Sequence, residues 1–545
     1  MKTKPGTAQN VNFTGKAKYF MIQGTTSSAG KSALTAGFLR YFSMEGYSSS
    51  PFKSQNMSLN SFVTDDGFEI AVSQAVQSEA AFKNPIRQVN PILIKPASDC
   101  GMHLIVEGKF YGNMNFNDYA GKRDYFLKKA KESFEFLAQD NDLIILEGAG
   151  SPAEINLFKF DIANMGFAEV YDIPVILVAD VERGGVFASV FGTVKLLPLK
   201  WRRLIKGFII NKFRGDLRVL TPGIKSIESM VKIPCFGVIP HIKNLRLEAE
   251  DSLNLTDRPE GGDSNNLTQS GRLRIGIIHL NRISNFHEFD PLFYDNRVAV
   301  RFFKDVPKRL TEFDMIIIPG SKSTIGDILG LKKAGIFDYI KDFEKYGVIM
   351  GICGGFQMMG KWIKDPFHIE SETFEAAGFG FFETVTVMQN EKRLLNQQYR
   401  FNPGSNIRSD VLRGYEIHNG RTFFIEGCSD EDTYTRIFES APALHDSSPA
   451  EMGIMSKDNK KIGTYIHGLF ANKSFKNFVI DIIIKNLKTA EKGNKGKVCA
   501  CNIQVDGHES EADSYFGVKN RNYDLLSENI RKHINIDLIK NLTGI

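Results

Sequence analysis

Three side chains stand where their chemistry could be used. Cys353 lies in Gly351-Ile352-Cys353-Gly354-Gly355-Phe356-Gln357, directly after the apolar run Gly347-Val348-Ile349-Met350. This pattern predicts a buried strand ending in a sharp turn with the sulfur at its tip. Gly351, Gly354 and Gly355 let the backbone bend and leave the thiol uncrowded, as a nucleophile at a strand-to-helix elbow requires. Such a thiol needs a base to take its proton. His467, in Gly463-Thr464-Tyr465-Ile466-His467-Gly468-Leu469-Phe470, follows an apolar strand and is flanked by glycine. His418, in Gly414-Tyr415-Glu416-Ile417-His418-Asn419-Gly420, is the rival.

The third side chain is Lys31. Gly24-Thr25-Thr26-Ser27-Ser28-Ala29-Gly30-Lys31-Ser32 follows one apolar run and opens an amphipathic one, the context of a phosphate-binding loop. Loop N–H groups and the helix N-terminus would face phosphate oxygens, Lys31 would neutralise them, and Ser32 would bind Mg²⁺. Five residues separate Gly24 from Gly30, one more than the usual spacing. Two carboxylates are expected as further metal ligands. Glu147 ends a strand in Leu146-Glu147-Gly148-Ala149-Gly150, at the edge where open α/β sheets bind ligands, and Asp66 stands in Asp65-Asp66-Gly67. Asn211, after another strand, has an amide that can read an adenine edge.

Two series of elements must position these groups. Strands are expected at Tyr19–Ile22, Leu143–Leu146, Val175–Ala179, Phe208–Ile210 and Phe236–Ile239, with amphipathic stretches such as Ala33–Ser43 and Phe126–Leu137 between them. A second series follows at Arg274–Leu280, Met315–Ile318, Val348–Ile352 and Ile462–Ile466. Apolar strands alternating with helices predict an α/β protein of two domains, each a mainly parallel sheet covered by helices. The expected boundaries are 18–250, a polar linker at 251–272, 273–487, and a polar extension with a terminal helix pair at 488–545.

A chain of 545 residues exceeds one compact core, and its net charge of +5 is spread without a basic stripe. No nucleic-acid partner is expected, and no apolar run reaches the length of a membrane span. Six scattered cysteines, including a lone Cys499-Ala500-Cys501 pair, lack zinc-site spacing and fit a reducing cytoplasm.

Longer runs carry a resemblance. Pro51-Phe52-Lys53-Ser54-Gln55-Asn56-Met57-Ser58-Leu59-Asn60-Ser61, Asn90-Pro91-Ile92-Leu93-Ile94-Lys95-Pro96, Glu147 to Glu154 and Val178 to Ser189 resemble signatures of the cobyric acid synthase family, in that family's order. The longer phosphate loop resembles the dethiobiotin synthetase branch of P-loop proteins, and the second half is similar to triad-type glutamine amidotransferases. The resemblance implies a P-loop NTPase-like first domain and a flavodoxin-like amidotransferase second domain. ATP would be bound by Gly24, Thr25, Gly30, Lys31, Ser32, Lys53 and Asn211, and Mg²⁺ by Ser32, Asp66 and Glu147. Lys95, Asp161, Asn164, Asp180 and Arg183 would shape the acceptor pocket. Cys353 and His467 would release ammonia from glutamine, with an oxyanion held by N–H groups of Gly354 and Gly320.

The implied reaction is amidation of the b, d, e and g carboxylates of adenosylcobyrinic acid a,c-diamide. Its alternatives are the related a,c-diamide synthesis and a P-loop ATP switch with an inactive second module. Glutamine and a corrinoid are the implied partners; the oligomeric state stays open, a homo-oligomer included. One departure is visible. Most triad members place Glu two residues after the histidine, where this chain has Leu469. Either another carboxylate substitutes or the site works as a dyad.

Overall fold

The computed structural model describes residues 16–96, 101–243, 245, 247–248, 272–401, 410–426, 433–440, 452–491 and 514–545. The expected linker, apart from Arg272, and the Cys499/Cys501 pair lie outside them. The chain forms two units, one of residues 1–58, 69–247 and 519–545, the other of 59–68 and 248–518.

The first unit is built on six parallel strands in the order Cys235–Pro240, Ile205–Phe213, Val175–Asp180, Lys18–Gly24, Leu143–Glu147, Ser49–Phe52. All five residues of Leu143–Glu147 and all six of Val175–Asp180 are buried, so these strands read as continuous apolar runs rather than alternating ones. Register does the positioning. Ile22 pairs with Glu147, Gly24 with Val178 and Asp180 with Asn211, so one edge of the sheet gathers the loop and both acidic strand ends. The phosphate loop then leads into the helix Lys31–Met44 through Gly30, whose φ of 97° suits glycine. A smaller sheet of Gln55–Met57, Ile92–Pro96, Gly101–Val106 and Lys109–Asn115 belongs to the same unit.

The terminal helices correct the expected boundaries. Residues from Lys519 onward are part of the first unit's core, not a separate extension. Ile530, Ile534 and Ile539 join Phe20, Phe38, Ile145 and Ile209 in one apolar cluster, and Asn535 N–H donates to Phe236 O at 2.8 Å.

The second unit has a seven-stranded sheet in the order Val298–Phe303, Leu273–Ile278, Met315–Ile318, Val348–Ile352, Lys461–Thr464, Ile454–Ser456, Tyr434–Arg436. The first five strands are parallel and the last two antiparallel. The strand expected to reach Ile466 stops at Thr464, because Ile466 N–H turns to the Thr464 hydroxyl at 3.0 Å and leaves the ladder. A second sheet contains the long antiparallel pair Thr384–Phe401 and Asp410–Phe424.

Candidate functional site

In the second unit, adjacent parallel strands deliver the two reacting groups. Ile352 pairs with Thr464, and Cys353 N–H donates to Thr464 O at 2.8 Å. Cys353 thus leaves the end of one strand, and His467 follows three residues beyond the end of its neighbour. Cys353 takes φ 52° and ψ −109°, a conformation disfavoured for a side-chain-bearing residue, at the start of the helix Gly354–Met359. Packing enforces it: a Cβ on Gly355 would clash with Ile318 O, and one on Gly354 would stand 2.8 Å from Ser321 N.

His467 is fully buried and feels the Cys353 sulfur electrostatically, while the thiol itself donates to Ile417 O at 3.7 Å. Its backbone exchanges hydrogen bonds with Tyr415, whose ring stacks on the imidazole at 5.2 Å. Nδ1 meets Glu288 Oε1 at 2.9 Å, and the other oxygen of Glu288 accepts from Gly468 N–H at 3.3 Å. Burial by itself favours the neutral ring. The adjacent Glu288 carboxylate and the Cys353 sulfur outweigh it and push the imidazole up to about 10. Gly320 faces His467 as well, since a Cβ there would lie 3.3 Å from Cε1. Ser321 fixes the same loop through a 2.5 Å hydrogen bond to buried Asp327. Gly354, the residue after the cysteine, lies against Ser321 of the same loop.

His418 is otherwise engaged. Its Nδ1 meets Gly420 O at 2.8 Å, its Nε2 meets Glu416 at 3.2 Å, and its ring stacks on Tyr465.

In the first unit, Glu147 is the hub. Its Oε1 accepts from Ser32 Oγ and Lys53 Nζ, each at 2.9 Å, and its Oε2 from Gln77 Nε2 at 2.5 Å. Lys31 Nζ spans the loop and donates to Thr26 O, Ser27 O and Gly150 O at 3.0 to 3.2 Å. Thr25 opens this loop, its N–H donating to Val178 O at 2.9 Å. Hydroxyl and carboxylate are hard oxygen donors, so Ser32 and Glu147 suit Mg²⁺.

Asp66 lies in the Leu59–Phe68 segment of the second unit, and its carboxylate accepts from the Thr64 hydroxyl at 2.5 Å in a turn ahead of Gly67. Asn211 lies against the phosphate loop, its Nδ2 donating to Ala29 O at 2.9 Å and its Oδ1 accepting from Lys212 N–H at 2.9 Å.

The residues expected at an acceptor pocket divide. Lys95 is buried in an ion pair with Glu69. Asp161 is committed to its own loop, accepting N–H groups of Ala163, Asn164 and Gly166 at 2.8 Å each. Its carboxyl is raised by burial, against the pull of those three donors. Asn164, which that loop presents, donates to Ala149 O at 2.6 Å beside the Glu147 strand end. Asp180 pairs with Lys212 at 2.7 Å, and Lys212 also donates to Ser28 O of the phosphate loop. Arg183 is exposed in the turn before Gly184 and Gly185. Sequence reasoning missed Glu288, Gln77 and Lys212. Gln77 lies one helical face from Gln74 and Ser73, a polar stripe on a buried helix that marks a site. Nothing local marks Glu288, which is 179 residues from its histidine.

A loop for nucleotide phosphates and a cysteine–histidine site in one chain define an ATP-using glutamine amidotransferase architecture. Residues 20–255 match the CobQ/CobB/MinD/ParA nucleotide binding domain, and residues 274–475 the CobB/CobQ-like glutamine amidotransferase domain. Cobyric acid synthase of Clostridium tetani is 39% identical over 97% of this chain and 99% of its own length. The enzyme of that name from Thermoanaerobacter sp. is 41% identical over 95% and 97%. A probable cobyric acid synthase of Methanothermobacter thermautotrophicus is 40% identical over 96% and 99%. The chain belongs to the cobyric acid synthase family.

Proposed function

We propose that this chain uses ATP and glutamine to amidate the b, d, e and g carboxylates of adenosylcobyrinic acid a,c-diamide, giving adenosylcobyric acid in the cytoplasm. The supporting observation is the coexistence of two built sites, Lys31 with Ser32 and Glu147 in one unit and Cys353 with His467 in the other, in a chain similar over nearly its whole length to cobyric acid synthases. A carboxylate is a poor electrophile. Transfer of the γ-phosphoryl group to it makes an acyl phosphate, from which ammonia can displace phosphate. Lys31 and the loop N–H groups would spread the charge of the transferring group. Mg²⁺ held by Ser32 and Glu147 would add charge neutralisation at the same phosphates.

At the other site, Cys353 sulfur bonds to the side-chain amide carbon of glutamine while its proton rests on His467. His467 returns that proton to the departing nitrogen, ammonia leaves, and water cleaves the thioester to glutamate. Corrinoid a,c-diamide incubated with the protein, Mg-ATP and glutamine should show four acid-to-amide exchanges by mass spectrometry. Two exchanges on a substrate lacking the a and c amides would point instead to the a,c-diamide reaction, and none would reject amidation.

A further inference from the structure

His467 lacks a carboxylate at the position two residues on, where Leu469 is buried among apolar side chains. A carboxylate reaches the ring from elsewhere. Glu288 sits in the one-turn helix Phe286–Phe289, is 4% exposed, and places its two oxygens on His467 Nδ1 and Gly468 N–H. Two anchors on consecutive residues fix the carboxylate and the ring plane together. With Nδ1 held, the other ring nitrogen, Nε2, is the one left for the sulfur. Asn285, immediately upstream, has φ 55° and brings Nδ2 to 3.5 Å from Nε2. A Ser61 N–H to Asn285 Oδ1 bond of 3.0 Å steadies it within the second unit.

We propose that Glu288 is the positioning residue of the glutamine-hydrolysing site, completing a Cys353–His467–Glu288 arrangement in which the acid comes from the far end of the domain rather than from the histidine's own turn. This rests on the reading that Cys353 hydrolyses glutamine. Glu288 fixes the tautomer with the proton on Nδ1 and stabilises the imidazolium formed when Nε2 takes the thiol proton. The proton passes from sulfur to Nε2 and then to the leaving nitrogen. The titratable groups facing His467 are Glu288, Cys353 and Tyr415, and the Tyr415 hydroxyl in turn lies 3.4 Å from His287 Nε2.

The test compares Glu288→Gln with the parent full-length protein. Glutamine-dependent turnover should fall about 10²–10⁴-fold, with amidation from added ammonia retained and KM for glutamine little changed. The basic limb of the glutaminase pH profile should move down by more than one pH unit. Alkylation of Cys353 by a chloroketone analogue of glutamine should slow in parallel. A basic limb left at the parent's position overturns the proposal, even if turnover falls. A parent protein showing no glutaminase while ammonia-dependent amidation proceeds would instead overturn the underlying reading. A measurement on the unaltered chain covers the case of a variant that does not fold. In ¹⁵N-histidine-labelled protein the His467 ring should carry a proton on Nδ1 at about pH 8; an unprotonated Nδ1 there would also overturn the assignment.

Discussion

The proposed function assigns Cys353 and Lys31 to different steps, so their variants should fail differently. Cys353→Ala should lose glutamine-dependent amidation and keep the reaction with added ammonia, measured as amide formed on the corrinoid. Lys31→Ala should lose both, because the phosphoryl step precedes either nitrogen donor. The histidine makes a pH prediction. Its imidazole is raised from 6.5 to about 10, burial opposing and Glu288 and Cys353 prevailing. Below about pH 6.5 the ring is charged whether folded or unfolded, and its stabilising contribution is fully present. As the pH rises toward about 10, the unfolded chain has already released the proton, and the contribution is lost. The thermal midpoint difference between the parent and His467→Asn should therefore be largest below about pH 6.5 and shrink steadily from there to about pH 10, followed by calorimetry across that range. A difference that grows with pH would invert the assigned sign.

The elbow carrying Cys353 is a property of an element, not of the cysteine. Strand Val348–Ile352 is wholly buried, the helix Gly354–Met359 begins at once, and the residue between them adopts φ 52°. That close turn exists because Gly355 lies against Ile318 O and Gly351 against Met359, where a Cβ would come within 2.6 Å of the sulfur. Gly355→Ala should destabilise the second unit by about 1–3 kcal/mol through overpacking. It should also cut glutamine turnover by displacing the thiol from His467, while ATP binding stays normal. Denaturant midpoints and glutaminase rates check this, and a variant with parental turnover would show that the turn tolerates a side chain. The parallel pairing of Ile352 with Thr464 does the equivalent work for His467, because neighbouring strands in register end side by side.

At the scale of the molecule, each unit is assembled from segments distant in sequence. The first closes its core with the final residues, through Ile530, Ile534, Ile539 and an Arg40–Asp524 ion pair of 2.8 Å. Truncation after Val518 should uncover that apolar cluster and unfold the first unit. Ammonia-dependent amidation would disappear while glutaminase activity of the second unit persists. Limited proteolysis with both assays distinguishes this from a dispensable tail, which would leave amidation intact. The same interleaving places Leu59–Phe68 in the second unit, where Asp66 ends in a turn. Among the described residues no helix is long and apolar enough to cross a membrane.

Much of this was written locally. The parallel strands announced themselves as unbroken Ile, Leu and Val runs, because burial on both faces leaves no polar positions to alternate. Gly24 to Ser32 and Gly351 to Gln357 fixed the phosphate loop and the elbow, since their backbone demands are met by neighbours in sequence. The strands of the smaller sheet and the long antiparallel pair escaped: Ile92-Leu93-Ile94 and Leu104-Ile105-Val106 are apolar over only three residues, and Thr384–Phe401 and Asp410–Phe424 mix polar with apolar positions. Contacts across the fold decided the rest. The contact of Asn211 with Ala29 O and the membership of Asp66 in the second unit come from packing, not from the local runs that hold them. The carboxylate serving His467 was legible only as an absence at Leu469. Its replacement, Glu288, is brought in by the tertiary packing of a one-turn helix, because hydrogen bonding depends on distance in space and a sequence carries no record of that distance.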